Sequence, residues 1–150
     1  MRAILQRVSR ATVSIDGEVV ADQEAGLLVL LGVTEPDTSS DIDWLIRKII
    51  NMRIFDDANG QMNLSLKEID GELTVVSQFT LLASTKKGNR PSYLAAAKPD
   101  ISKPLYEEFC QKAEATLGKA IGTGRFGAMM NISLVNSGPV TISLDSKRPE

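Results

Sequence analysis

The run LLVLLGV at residues 27–33 is continuous aliphatic sequence with no polar residue in it. It is far too short to cross a bilayer as a helix, and it lacks the alternation of a strand with one wet face. It therefore reads as a central strand buried on both faces, and such a strand needs apolar material against each side. Other elements can supply that cover. RATVSID alternates Ala11, Val13 and Ile15 with Thr12, Ser14 and Asp16, the period of a half-buried strand. Asp16-Gly17 then turns the chain back through EVVA as a hairpin.

Ile42, Leu45, Ile46, Ile49 and Ile50 recur at helical spacing after a cap-like Ser40 and Asp43, predicting the first helix. Asn51 to Phe55 leads back towards a strand, DDANGQ turns, and LTVVSQF (73–79) reads as the next strand. A second helix is expected from near Pro104, in its first turn, through Leu105, Phe109, Ala113 and Leu117 to Gly118. MMNISLV and VTISLD close the chain as strands on either side of Gly138-Pro139. The order predicts one α+β domain over residues 1–150: a mainly antiparallel or mixed, barrel-like β-sheet with two helices packed on one side. GVTEPDTSSD after the buried strand carries neither a dinucleotide fingerprint nor a P-loop, so a doubly wound nucleotide-binding fold is disfavoured.

Composition narrows the chemistry. Nineteen acidic residues against seventeen basic give a net charge of −2, so any nucleic-acid contact has to come from a local patch. The single cysteine, Cys110, cannot form an internal disulfide and fits a reducing compartment. Arg2, Arg7 and Arg10 punctuate the apolar residues of the N-terminus, leaving no signal-peptide core. The expected setting is cytoplasmic, with no membrane contact. The chain has no histidine, which removes His-containing triads and the commonest metal ligand. No metal or cofactor is expected.

Four stretches remain as sites. SQFTLLAS (77–84) gathers Ser77, Gln78 and Thr80 around Phe79 at a strand end, either as a nucleophilic or substrate-positioning hydroxyl beside backbone N–H donors, or as the wet face of an ordinary strand. STKKGNRPSY places Lys86, Lys87 and Arg90 around Gly88-Asn89, either a phosphate-holding loop or a solvated basic turn. GTGRFGAMMN is a weak dinucleotide motif because a strand follows it, and Met129 and Met130 read as core filler or pocket wall. In NSGPVT, proline lacks an N–H to donate, so Gly138-Pro139 cannot lie inside a regular ladder; it is a plain turn or it presents something. Cys110, with apolar neighbours, reads as a structural thiol.

SQFTLLA and NSGPVT, taken with the opening MRAILQRVSRATV and with NMRIF, KKGNRPSY and GRFGAMM, resemble the D-aminoacyl-tRNA deacylase family, in order and over nearly the whole chain. Where the family pattern more often has Asp before Gly-Pro, this chain has Ser137. The resemblance implies a cytoplasmic homodimer that hydrolyses the ester between a D-amino acid and the 3′ end of tRNA, and that also removes mischarged glycine from glycyl-tRNA. It implies a cis Gly138-Pro139 bond entering the partner subunit's active site, so that each pocket combines SQFT of one chain with Gly-Pro of the other. On that reading Phe79 and Thr80 are catalytic through their backbone N–H groups. Ser77, Gln78, Met129, Gly138 and Pro139 contact substrate, and Lys86, Lys87 and Arg90 contact tRNA. The 2′-OH of the terminal ribose is the favoured assistant for hydrolysis, with Thr80 as a covalent nucleophile on the same or small ester substrates as the alternative.

Overall fold

The structure is a computed structural model that describes residues 1–149; residue 150 of the expected domain lies outside them. In chain order the elements are β1 (Arg2–Ile15), β2 (Glu18–Gln23), β3 (Gly26–Gly32), α1 (Ser39–Asn51), β4 (Phe55–Asp56), β5 (Met62–Leu64), β6 (Glu72–Ser77), a 3₁₀ turn (Phe79–Leu82), α2 (Pro99–Leu117), β7 (Gly122–Thr123) and β8 (Asn131–Asp145). No helix among the described residues is long and apolar enough to cross a membrane.

The long strand β1 organises the sheet. β8 runs antiparallel along one of its edges, while β3 and then β2 share the other. Asp16 and Gly17 both take positive φ, 51° and 79°, which is how the expected Asp-Gly turn closes the β1–β2 hairpin. Beyond β3 the sheet turns parallel, through β6 to β7. It is thus mixed, and it curls until β7 meets β2: a Cβ on Gly122 would lie 3.2 Å from that of Ala21. The result is a nearly closed barrel with two helices against it. β4 and β5 form a small separate hairpin over the predicted DDANGQ turn.

β3 is buried on both faces, as its composition requires. Leu27, Val29 and Leu31 join the large core beneath the helices, whereas Leu28 packs with Val8, Val13, Ala21 and Val76 inside the barrel. Each row is a separate packing commitment; truncating one of these leucines to alanine costs about 2–5 kcal/mol.

α1 presents the predicted apolar stripe, Ile42, Leu45, Ile46, Ile49 and Ile50, to the large core. Its start differs from the expected Ser40–Asp43 pair. Thr38 is the N-cap, and Asp41 Oδ2 accepts from the Thr38 N–H at 2.8 Å. Burial alone would raise the Asp41 carboxyl, but hydrogen bonds from Lys147, Ser146 and Thr38 outweigh it and hold the group well below the usual carboxylate range. α2 begins at Pro99 rather than near Pro104. Pro99 takes the first-turn position where a missing N–H is harmless. Pro104 sits on an exposed part of the helix, where the Asp100 carbonyl it leaves unbonded can face water. Gly118 ends the helix in the left-handed region, φ 82°. Cys110 is half-buried on α2, and burial pushes its thiol up to about 11, as suits a structural rather than a reactive sulfur.

Candidate active site

β6 stops two residues before the expected end of LTVVSQF. Ser77 is its last strand residue; Gln78 still donates its N–H to the Leu31 carbonyl at 2.8 Å, and the chain then winds into the 3₁₀ turn. The turn closes through Leu81 N–H to the Gln78 carbonyl and Ala83 N–H to the Thr80 carbonyl. It fits against the end of β3 because Gly32 has no side chain: a Cβ there would lie 3.1 Å from the Gln78 oxygen and 3.3 Å from Leu81 Cβ. Leu82 plugs into the core, and Phe79 swings outward, 55% exposed, edge-on to Tyr93 with ring centroids 5.1 Å apart.

Beside this turn lies a cleft of about 760 Å³ whose walls include Ser77, Gln78, Phe79, Tyr93, Phe126 and Met129. Four of the predicted site residues, Ser77, Gln78, Phe79 and Met129, are therefore brought together. Met129 stands 87% exposed at the wall, outside β8 and outside the core. The lining is largely apolar and aromatic, and no charged side chain belongs to it among the described residues. Thr80 is half-buried at the edge of the turn, its hydroxyl oxygen accepting from the Gln78 side-chain amide. The N–H groups of Phe79 and Thr80, at the start of the turn, pair with no acceptor among the described residues. Chemically this is an apolar slot with no charged side chain in its lining, beside a turn whose first two backbone N–H groups are unpaired among the described residues; Thr80 itself is not part of the lining.

Gly138 and Pro139 are elsewhere. They do not line the cleft; they stand exposed on β8. Gln6 pairs with Thr141 and Val8 with Asn136, so the single residue Arg7 faces the whole of Ser137–Val140 and that segment is thrown out of the sheet. The peptide bond between Gly138 and Pro139 is cis. Gly138 has φ +134°, and a Cβ on it would lie 2.9 Å from both Arg7 Nη2 and Val140 Cγ2, so only glycine fits.

Polar side chains hold the segment. Arg7 Nε donates to the Ser137 carbonyl at 2.8 Å, and Arg7 Nη1 donates to the Ile54 carbonyl at 2.7 Å and pairs with Asp56 at 3.3 Å. The Asn136 oxygen accepts from the Val140 N–H at 2.9 Å. The Asn136 amide nitrogen donates to Gln6 Oε1 at 2.6 Å and to the Thr141 hydroxyl at 3.0 Å. Lys86, Lys87 and Arg90 occupy an exposed loop pinned at its base by reciprocal Ser84–Ser92 backbone bonds of 2.8 and 2.9 Å, leading directly to Tyr93 and the cleft mouth.

Sequence reasoning gave no role to Arg7 or Gln6, nor to Phe126 as a wall. A signal existed for the first two. Buried positions along β1 are Ala3 and Leu5, then Val8, then Ala11, Val13 and Ile15, so the alternation slips on each side of Val8.

Compared with known proteins, the chain matches the D-Tyr-tRNA(Tyr) deacylase family model over residues 4–145. It is 56% identical over 150 residues to a D-aminoacyl-tRNA deacylase of Bacteroides fragilis (strain YCH46), with both chains covered in full. It is 58% identical over 150 residues to one of Flavobacterium johnsoniae, again with both covered in full. Among solved structures it superposes on the c-Myc DNA Unwinding Element Binding Protein with TM-score 0.92 and 37% identity, covering 97% of this chain and 98% of that one. A probable eukaryotic D-amino acid tRNA deacylase shares the fold at TM-score 0.84 and 18% identity, covering 95% and 97%.

Proposed function

The chain belongs to the D-Tyr-tRNA(Tyr) deacylase family, and from that premise we propose that it is a D-aminoacyl-tRNA ester hydrolase that selects by handedness. The observation that carries the mechanistic part is the uncharged cleft beside the Phe79–Leu82 turn. Its aromatic walls suit the terminal adenosine of tRNA, with the aminoacyl ester placed at the edge where the Phe79 and Thr80 N–H groups can receive the developing oxyanion. Nothing in the lining can take a proton from water. The vicinal 2′-OH of the substrate's own ribose fills that role, and the reaction needs only position and oxyanion donors from the protein. Against Thr80 as a nucleophile stands the Gln78 amide, which donates to the Thr80 oxygen and so reduces its electron density.

Selection by handedness needs a wall. Gly138 and Pro139 stand exposed and outside the lining of the cleft, and β8, which bears them, pairs only with β1 among the described residues and leaves Val135 59% exposed. These features support a homodimer in which the segment enters the partner's cleft and each active site is shared. Exchanging L for D about one Cα swaps side chain and hydrogen, so backbone atoms placed where an L side chain must go exclude it. A D side chain points away. Glycine, having none, passes, which makes glycyl-tRNA a second substrate. Lys86, Lys87 and Arg90 take tRNA phosphates beside the cleft mouth. The reaction belongs in the cytoplasm, where aminoacyl-tRNA is made and used.

The test is release of amino acid from matched D- and L-tyrosyl-tRNA, with the spontaneous rate subtracted. Loss of the D form alone is expected. Equal loss of both would keep the hydrolase and remove the wall, and loss of neither would leave the fold without the activity.

A further inference from the structure

A segment thrown out of a ladder loses the bonds that would have fixed it, and its backbone groups must find other partners. Ser137–Val140 has two. The Ser137 carbonyl is held by Arg7, which is itself tied to Ile54 and Asp56 and acts as a strut from the body of the protein. The Val140 N–H is held by the Asn136 side-chain oxygen, so that residue closes the loop from one end to the other. Whether this second anchor works depends on which way the Asn136 amide faces, because turning it over would set its NH₂ against the Val140 N–H.

Two contacts agree on the direction: the Val140 N–H, a fixed donor, at one end and Gln6 on β1 at the other. Gln6 Oε1 receives the Asn136 amide nitrogen at 2.6 Å and the Thr141 hydroxyl at 2.5 Å, and the same Asn136 nitrogen donates to the Thr141 oxygen at 3.0 Å. In this three-membered ring every donor has an acceptor. Asn136 can present only its nitrogen to Gln6, and its oxygen is left for Val140. Gln6 is also the last residue of β1 in regular register before the bulge, opposite Thr141, so it sits on rigid sheet rather than on the segment it controls.

We infer that Gln6 is a positioning residue for the selective wall: by accepting from Asn136 and Thr141, it fixes the amide that holds Val140 and so sets the direction in which Gly138 and Pro139 project. This rests on the reading of Gly138-Pro139 as the wall. What Gln6 supplies is an acceptor, so a carboxylate can replace it and an alkyl chain cannot.

The experiment compares Gln6→Leu, Gln6→Glu and Thr141→Val with the wild type in two readouts: hydrogen exchange at the Val140 amide, and the ratio of D- to L-tyrosyl-tRNA hydrolysis. In Gln6→Leu, Val140 exchange is expected to quicken and the D-to-L ratio to fall, each by about tenfold, the scale of one or two buried hydrogen bonds. Gln6→Glu should hold both near wild type. Thr141→Val removes one donor to the same acceptor and should move both readouts the same way, which keeps the test open if Gln6→Leu does not fold. Unchanged Val140 exchange in Gln6→Leu, or a Gln6→Glu variant as impaired as Gln6→Leu, would overturn the inference. If the wild type itself shows no preference for D, the wall reading fails, and the Val140 exchange rates alone decide whether Gln6 orients Asn136.

Discussion

The two parts of the proposed site depart from the sheet in opposite ways. At the end of β6 the chain curls inward and packs: Leu82 goes into the core, Gly32 makes room, and Phe79 leans on Tyr93 to wall a cleft. In the middle of β8 it is pushed outward, and what supports it is polar: Arg7, Asn136, Thr141 and Gln6. A concave surface can be built from apolar contacts because it has a floor to pack against. A projection has none, so directed hydrogen bonds from beneath must do the same work. The first region should therefore be sensitive to volume and the second to donors, acceptors and backbone angles.

Substrate chemistry gives the largest separation between them. If the turn supplies position and N–H donors while the RNA supplies the hydroxyl, a tRNA ending in 2′-deoxyadenosine should be hydrolysed at least about 100-fold more slowly, the scale of losing general acid-base assistance. Thr80→Ala, which keeps the backbone N–H, should cost less than about tenfold, the scale of one side-chain hydrogen bond. The reverse pattern in single-turnover rates would make Thr80 the nucleophile. Next comes the projection. Gly138→Ala puts a Cβ 2.9 Å from Arg7 Nη2 and Val140 Cγ2 at φ +134°. Redirecting the segment should slow D-tyrosyl-tRNA hydrolysis by about 100-fold, the penalty of misplacing a reacting group by about 1 Å. Its unfolding midpoint should stay close to wild type, because the strain falls on an exposed segment. Normal activity in that variant would mean the projection has no part in the reaction. The smallest effect belongs to the basic loop, whose Lys86, Lys87 and Arg90 lie outside the cleft lining. Replacing Lys86, Lys87 and Arg90 by alanine should weaken all tRNAs alike and flatten the salt dependence of binding by about one unit of log–log slope per residue removed. An unchanged slope would make the loop a solvated turn.

The sheet was legible where side-chain pattern and backbone structure share one cause. The aliphatic run of β3 announced two buried faces, and Asp16-Gly17 announced a turn that only positive φ satisfies. The turn after Ser77 was not legible. Phe79 and Thr80 are good strand residues, and what ends β6 there is the room left by Gly32, a residue 45 positions or more earlier in the chain. The start of α1 was missed for a similar reason: Asp41 caps it while also bonding Ser146 and Lys147 at the far end of the sequence. Among the proposed site residues, Phe79 and Gly138 could be singled out by their motifs. Arg7 and Gln6 could not, because their roles depend on which strand lies beside them and in what register.

One small irregularity in β1 has a larger effect than its size suggests. Between the pairs Gln6–Thr141 and Val8–Asn136, β8 uses five steps to β1's two; between Val8–Asn136 and Arg10–Val135, β1 uses two steps to β8's one. Three extra residues on one strand are followed by one on the other. Each count is odd and would alone turn the rest of a strand inside out, but with Ser9 passed over, Ala11 and Val13 stay on the barrel-side face that Val8 holds, opposite the helix-side face of Ala3 and Leu5. Ser9, the residue passed over in that second step, is in effect a phase corrector. It lets a single sheet carry an oversized protrusion and still close its barrel on the far side, so shortening β1 by that one residue should disturb the hairpin with β2 as well as the segment it was never part of.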